Sequence, residues 1–348
     1  MTRGRFLARP GRIVLGAVVI AAVGGCSPSS ATPAPTSGSS GITTVAPFAT
    51  GTPALSGGAT LTAATTLPAG TVVAWGDNGS GQTSVPSGLA GVVEVAAGDE
   101  FSVALRSDGT VAAWGDNAAG QTSVPAGLAG VEQISAGSGF VVALKSDGTV
   151  AAWGDNTSGE TTVPGGLSDV LEVSAGGQHA LALKSDGTVV AWGGDANGET
   201  EVPTDLANVT HVSAGYDFSL AMLEDGTVRA WGDRNPTDAS SGVVRVPAGL
   251  AGVIGVSAGF YHDLAVKSDG TVVSWGANES GQSTVPAGLG EVDVVAAGGN
   301  FSLALRADGS VVAWGGNDSG QTLLPAGLAK VISIDAGGSH ALAVVVGP

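Results

Sequence analysis

Apolar and polar positions alternate along most of this chain in short runs, and the runs come in a fixed order. In the stretch 92–130, Val92–Ala96 alternates and is β-branched, Phe101–Arg106 alternates, Thr110–Trp114 alternates, and a shorter run, Gln121–Val124, stops at Pro125. Period-2 alternation over such lengths predicts strands and excludes a helical solenoid. Between the second and third runs lies Ser107–Thr110, Ser-Asp-Gly-Thr. An Asp-Gly pair supplies the positive φ angles of a type I′ turn, which predicts a two-residue hairpin there. Pro125 cannot donate to a ladder, so the fourth run is placed at an outer edge.

The same text recurs. The seven tryptophans, Trp75, Trp114, Trp153, Trp192, Trp231, Trp275 and Trp314, are 39 residues apart except for one spacing of 44. An Ala-Gly pair ending at Gly98 and a Val-Pro or Leu-Pro pair ending at Pro86 each recur at the same period. A repeat of about 40 residues with four short strands predicts a β-propeller of seven four-stranded antiparallel blades. The ends are complementary. Thr71–Trp75 has no strand pair before it, and Val331–Val346 stops where a Trp strand is due. The N-terminal strand is therefore expected to complete the C-terminal blade, closing the ring and removing two open sheet edges.

Two motifs carry a resemblance: W-G-D-N-x-x-G-Q at Trp75–Gln82 and Trp114–Gln121, and the segment A-G-x-x-[FH]-S-x-A-L. They resemble the repeat of the regulator of chromosome condensation family, over Thr71 to Val346. The variant A-W-G-D-N-x-x-G-Q-T-x-V-P is most similar to that of the family's bacterial β-lactamase-inhibiting members. The resemblance implies the propeller fold; it is weak for function, since one fold hosts many. Inhibition of a β-lactamase through aromatic-rich loops on one face is the alternative function it implies. The family's exchange-factor role on a nuclear GTPase is not expected to carry over to an exported chain.

Residues 1–25 read as a secretory signal peptide: Arg3, Arg5, Arg9 and Arg12 precede an apolar run, Ile13–Val23, too short for an ordinary membrane span. Val23-Gly24-Gly25-Cys26 resembles a bacterial lipobox, and Cys26, the one cysteine, is the expected lipidation site; an incidental cysteine is the alternative. Residues 26–66 carry no charge and are rich in Ser, Thr, Ala, Pro and Gly, the composition of a disordered tether. Residues 67–348 hold the repeats. Such a protein is expected at the outer face of the bacterial cytoplasmic membrane, held by lipid alone, as a monomer.

Charge narrows the partners. The net charge is −17, but four of the thirteen basic residues precede Cys26, leaving nine against thirty acidic ones, or −21. An anionic body repels phosphate backbones, so nucleic acid is an unfavourable partner.

Most recurring residues have a packing explanation. A Trp at one position of every unit packs neighbouring sheets; the Asn and Gly of D-N-x-x-G build turns. Those loops lack the distal Glu and ligand count of a calcium loop, so neither metal nor cofactor is expected. His179, His262 and His340 share a register with Phe101, Phe140, Phe218 and Phe301, which reads as a packing position. His211 stands apart on a strand. No catalytic constellation appears, and the chain is not expected to be an enzyme; one acting on envelope polymers is the third reading.

The departures from the repeat nominate a site. After the Ala-Gly glycine most units carry small or polar residues, but two carry Tyr216-Asp217 and Phe260-Tyr261, which include both tyrosines of the chain. The long unit's extra residues fall in Asp233–Gly242, with Arg234 and Asp238, and Arg229 and Arg245 lie nearby. Loops after the first and third strands emerge on one face, so Tyr216, Asp217, Arg234, Asp238, Phe260 and Tyr261 are expected to form a binding patch across two blades, with Asp99-Glu100 adding an acidic rim. Local aromatic packing is the bland alternative. Tyr and Arg are frequent interface anchors. The function expected is non-catalytic capture of another protein or a cell-envelope component.

Overall fold

Thr71–Gly76 forms β1, and the first complete unit follows as β2 (Val92–Ala97), β3 (Phe101–Arg106) and β4 (Val111–Gly115). This computed structural model describes residues 70–233 and 242–347, and among them every helix or strand assigned is a strand. The Cys26 segment, Arg234 and Asp238 lie outside the described residues. Six blades run consecutively, at 92–115, 131–154, 170–193, 209–232, 253–276 and 292–315, and are numbered I to VI. Each is an antiparallel meander in chain order, with a bulge near the start of its first strand, as between Val92 and Glu94.

Blade VII closes the ring as expected. Its first strands are Val331–Ala336 and His340–Val345, and its third is β1, paired from Thr71↔Val345 to Gly76↔His340. The tryptophan contact repeats across the seam: Trp75 Nε1 donates to the Gln321 carbonyl at 2.9 Å, as Trp114 Nε1 donates to Gln82 at 2.8 Å.

Two local expectations are corrected. The hairpin is not type I′. Gly109 N donates to Arg106 O at 2.9 Å, Gly109 has φ +78°, and Asp108 is not among the positive-φ residues. Three residues, Ser107 to Gly109, connect the strands, and a three-residue connection takes a type I turn followed by a left-handed glycine. The Asp side chain serves differently: Asp108 Oδ1 accepts from Thr110 N at 3.0 Å and Thr110 Oγ1 at 2.6 Å.

The fourth run makes no ladder, so the hydrogen-bonded sheets have three strands each. Gln121–Val124 is instead a string of turns, with Ser123 N on Gly120 O and Val124 N on Thr122 O. Its polar groups are drawn off elsewhere. The Gln121 carbonyl accepts the Trp153 indole at 3.0 Å, and the buried Gln121 side chain ties back to Asp116 at 2.8 Å and to Ala119 N.

Among the described residues there is no single central core. The described apolar residues form seven layers between adjacent blades, and each layer holds one tryptophan, 7% exposed. Burying one large ring per interface makes each blade depend on its neighbours, so closure of the ring protects every layer.

Candidate binding face and central channel

Antiparallel pairing sends the loops after a blade's first and third strands to one end and the Asp-Gly hairpins to the other. Asp116 N donates to Glu100 O at 3.0 Å, joining the two loops of blade I, and Gly177 N donates to Tyr216 O at 3.1 Å, joining blades III and IV. The first of these loops opens on the Ala-Gly glycine. A Cβ on Gly98 would fall inside the Phe101 ring, so the backbone must pass the aromatic bare. The two residues that follow project at the rim, and here Tyr216, Phe260 and Tyr261 depart from the repeat.

These three meet. Ring centroids are 5.2 Å apart for Tyr216 and Phe260, 5.9 Å for Tyr216 and Tyr261, and 6.4 Å for Phe260 and Tyr261, the last pair edge-on at 90°. Edge and tilted contacts at these distances are favourable for aromatic rings. Tyr261 is 44% exposed and the other two are half-buried. Of the expected cluster across blades IV and V, the fold brings these three aromatics together, while Arg234 and Asp238 of the long loop lie outside the described residues. Asp217 sits beside Tyr216, its carboxyl raised from the ordinary value by burial and by the charges of Glu199 and Asp233, against a hydrogen bond from Asn197.

Of the basic residues near that stretch, Arg229 is engaged away from the cluster. Arg229 Nη2 bonds both carboxylate oxygens of Asp205 at 3.1 Å, near the hairpin end of its blade. Arg245 lies on the connecting segment two residues past Val243, whose carbonyl accepts the Trp275 indole at 2.8 Å. From Phe260 and Tyr261 a groove of about 390 Å³ runs past Glu279, Gln282 and Asn300 to Asp99. Asp99 was read as a rim residue. Glu279 was not, and its signal is a carboxylate inside the D-N-x-x-G register, shared only with Asp318 while Gly79, Ala118, Thr157 and Ala196 are small.

Behind the aromatics the first strands of all seven blades line a central channel of about 160 Å³. The sequence reading passed over it, although Glu94, Gln133, Glu172 and His211 share one register of strands that otherwise alternate with apolar residues. His211 Nδ1 is ion-paired with Glu172, and Nε2 lies 3.1 Å from Val256 O. Burial alone disfavours the charged ring, but Glu172 and the Val256 carbonyl outweigh it, and the His211 pKa is raised. Asp335 accepts from Ala97 N at 2.7 Å, and burial pushes its carboxyl up to about 6. Glu94 is raised well above its ordinary value, by burial first and also by the charge of Asp335, against a hydrogen bond from Ile134. One level up, Ala175, Ala214, Ala258 and Ala297 donate their N–H to Ser135, Ser174, Ser213 and Ser257 of the preceding blades. Much of the channel's polar lining is therefore spent on stitching blades together.

The other histidines are core groups. His179, His262 and His340 are fully buried, and burial pushes each down to about 4. Each has Nε2 within 3.0 Å of a serine hydroxyl in the next blade, Ser219, Ser302 and Ser102 respectively. Asp263 occupies the serine register in blade V with neither carboxylate oxygen paired. In the D-N-x-x-G loops, Asp77 accepts from Gly79 N and Gln82 Nε2, and Asn78 Oδ1 from Thr83 N. Among the described residues no group of three or more His, Cys, Asp or Glu is arranged to hold a metal ion.

Comparison with solved structures places this architecture. Prp20p from Saccharomyces cerevisiae superposes with a TM-score of 0.67 at 17% identity, over 81% of this chain and 92% of that one. Human WBSCR16 gives 0.63 at 21% identity, over 79% and 99%. The ectodomain of the Arabidopsis thaliana receptor kinase ACR4 gives 0.58 at 25% identity, over 73% and 91%. Among curated protein sequences no match was found. Segments 92–121, 131–160, 170–199, 209–236, 253–282 and 292–321 each match the regulator of chromosome condensation (RCC1) repeat, together just over half the chain. With the repeat matched in six units and the ring closed by a seventh, the chain belongs to the regulator of chromosome condensation repeat family.

Proposed function

We propose that this protein is a non-catalytic binding propeller, exported and tethered by a lipid on Cys26, that captures another protein at the face carrying Tyr216, Phe260 and Tyr261. One observation carries the reading. Both tyrosines of the chain and Phe260 come from two separate blades and pack together, partly exposed, at the mouth of the channel. Aromatic clusters next to a groove are where interface binding energy concentrates. The basic, then apolar, then Cys26 order of the N-terminus supports export and anchoring.

A photo-crosslinking residue at position 261 is the direct test, with one at Leu171 as control. Leu171 is 44% exposed and begins its strand at the hairpin end of blade III. A protein adduct formed in cells at 261 and not at 171 is the expected outcome; equal adducts, or none at 261, count against the face. Cys26→Ser should release the chain from the membrane fraction, and retention there would remove the anchor.

A further inference from the structure

Most of the basic residues described stand at the hairpin end, where hairpin aspartates accompany them, as Asp147 pairs Lys145 and Asp269 pairs Lys267. Arg106, Lys145, Lys184, Lys267 and Arg306 each end the second strand of a blade, at the hairpins, and Arg229 and Lys330 lie at that same end. At the opposite end, no lysine or arginine is among the described residues lining the groove beside the aromatic cluster; Arg245 lies on the connecting segment past Val243. Asp99, Glu100, Asp217, Asp233 and Glu279 stand there around the aromatic cluster and its groove. The groove itself has Phe260 and Tyr261 at one end, Glu279 along it and Asp99 at the other.

We infer that the groove from Tyr261 to Asp99 receives an arginine- or lysine-bearing segment of the partner protein, its cationic head against the aromatic rings and between the carboxylates. This rests on the reading of that face as the binding face and gives its partner a chemistry. The physical case is complementarity. Aromatic faces attract a cation through their quadrupole, and flanking carboxylates add charge that steers and holds it. Among the described residues that line the groove none is a lysine or arginine. Asp99 is raised from its ordinary value by burial and by the charge of Glu100, as expected of acids crowded together without a counter-ion. An acidic partner would meet that repulsion, and a purely apolar one would leave those carboxylates desolvated and unpaired. A planar guanidinium suits the site best, since it stacks on a ring and bonds a carboxylate with one group.

The chain supplies its own probe, for its two tyrosines are both in the cluster. Protein carrying ring-labelled tyrosine should give two ring signals, both reporting on the groove. A blocked glycine pentapeptide with arginines at its second and fourth positions should shift both signals saturably. Its dissociation constant should lie about tenfold or more below those of the glutamate and leucine counterparts, and should rise with salt. The double variant Asp99→Asn, Glu279→Gln keeps the tyrosines and should bind the arginine peptide about fivefold more weakly, with unchanged near-ultraviolet circular dichroism. A leucine peptide that binds as well as the arginine one, or an arginine peptide that shifts neither signal, overturns the inference. If the crosslink at position 261 still forms in the latter case, the face binds a partner of other chemistry; loss of both removes the face itself.

Discussion

His340 Nε2 lies 3.0 Å from Ser102 Oγ across the seam between the last blade and the first, and Ser102 Oγ donates to the Gln82 carbonyl at 2.8 Å. The hydroxyl's one proton is committed to that carbonyl, so the ring nitrogen donates, leaving Nδ1 bare as observed. His179–Ser219 and His262–Ser302 repeat the arrangement. Where the first partner is Phe, the next blade places an apolar residue in the same layer: Val141 with Phe101, Ala180 with Phe140, Ala341 with Phe301. Polar pairs with polar and apolar with apolar, blade by blade.

Breaking one half of the seam pair should therefore cost more than replacing both. Ser102→Ala strands a buried imidazole N–H and should lower stability by about 1–2 kcal/mol. The double variant Ser102→Ala, His340→Phe recreates the Phe301–Ala341 combination and should recover most of that loss. Urea denaturation of the two singles and the double decides it; strict additivity would refute the pairing.

Asp263 is the exception to the rule, standing in the serine register of blade V while the preceding blade carries Phe218. Both its oxygens are buried and unpaired, and burial raises its carboxyl well above 3.8. The folded chain holds this proton while the unfolded chain releases it. Stability is thus fully present below the ordinary carboxylate range and is lost as pH rises toward the folded pKa. Asp263→Ala should stabilise the protein by about 1–3 kcal/mol at neutral pH, with the gain vanishing near pH 4. Thermal unfolding at the two pH values is the measurement, and a loss at neutral pH would contradict it.

The Glu172–His211 pair in the channel has a different pH signature. The His211 pKa is raised above 6.5, so its contribution is complete below that value and is lost as pH rises through the folded pKa. Glu172→Gln should destabilise by about 1–3 kcal/mol in mildly acidic solution, and the curves of variant and wild type should converge toward alkaline pH. Parallel curves across that range would show that the pair is not ionised.

Closure by β1 can be tested by trimming. A chain beginning at Leu67 keeps Thr71–Gly76 and should remain a discrete folded species. One beginning at Asp77 leaves His340–Val345 as an open edge beside a layer lacking Trp75, and should aggregate or unfold at lower temperature. Size-exclusion chromatography and thermal unfolding distinguish the outcomes; equal behaviour of the two chains would argue against a load shared around the ring.

The seven-fold ring was legible because a repeat leaves the same mark each time its neighbours impose the same constraint. Trp75 and Val346 announce closure from opposite ends, since a unit that lacks a strand must find it elsewhere. The meeting of Tyr216 with Phe260 and Tyr261 was legible for the same reason: once strand direction is known, equivalent loops of adjacent blades must lie side by side. Alternation reads backbone extension, however, and it mistook Gln121–Val124 for a strand. Where the hydrogen bonds of that segment go depends on the indole of Trp153 in the next blade. The three-residue hairpin at Asp108 was missed because turn type follows strand register, which the dipeptide does not specify.

The chain's own text thus determined the number of blades, their order, the closing strand and the departures from the repeat that mark a site, all of them consequences of local periodicity. Tertiary structure alone decided that Glu172 meets His211, that Asp263 is left without a partner, and that Asp99 and Glu279 line one groove with Phe260 and Tyr261. Those facts belong to residues some 40 positions apart or on separate strands, brought to hydrogen-bonding distance only by the curvature of a closed ring.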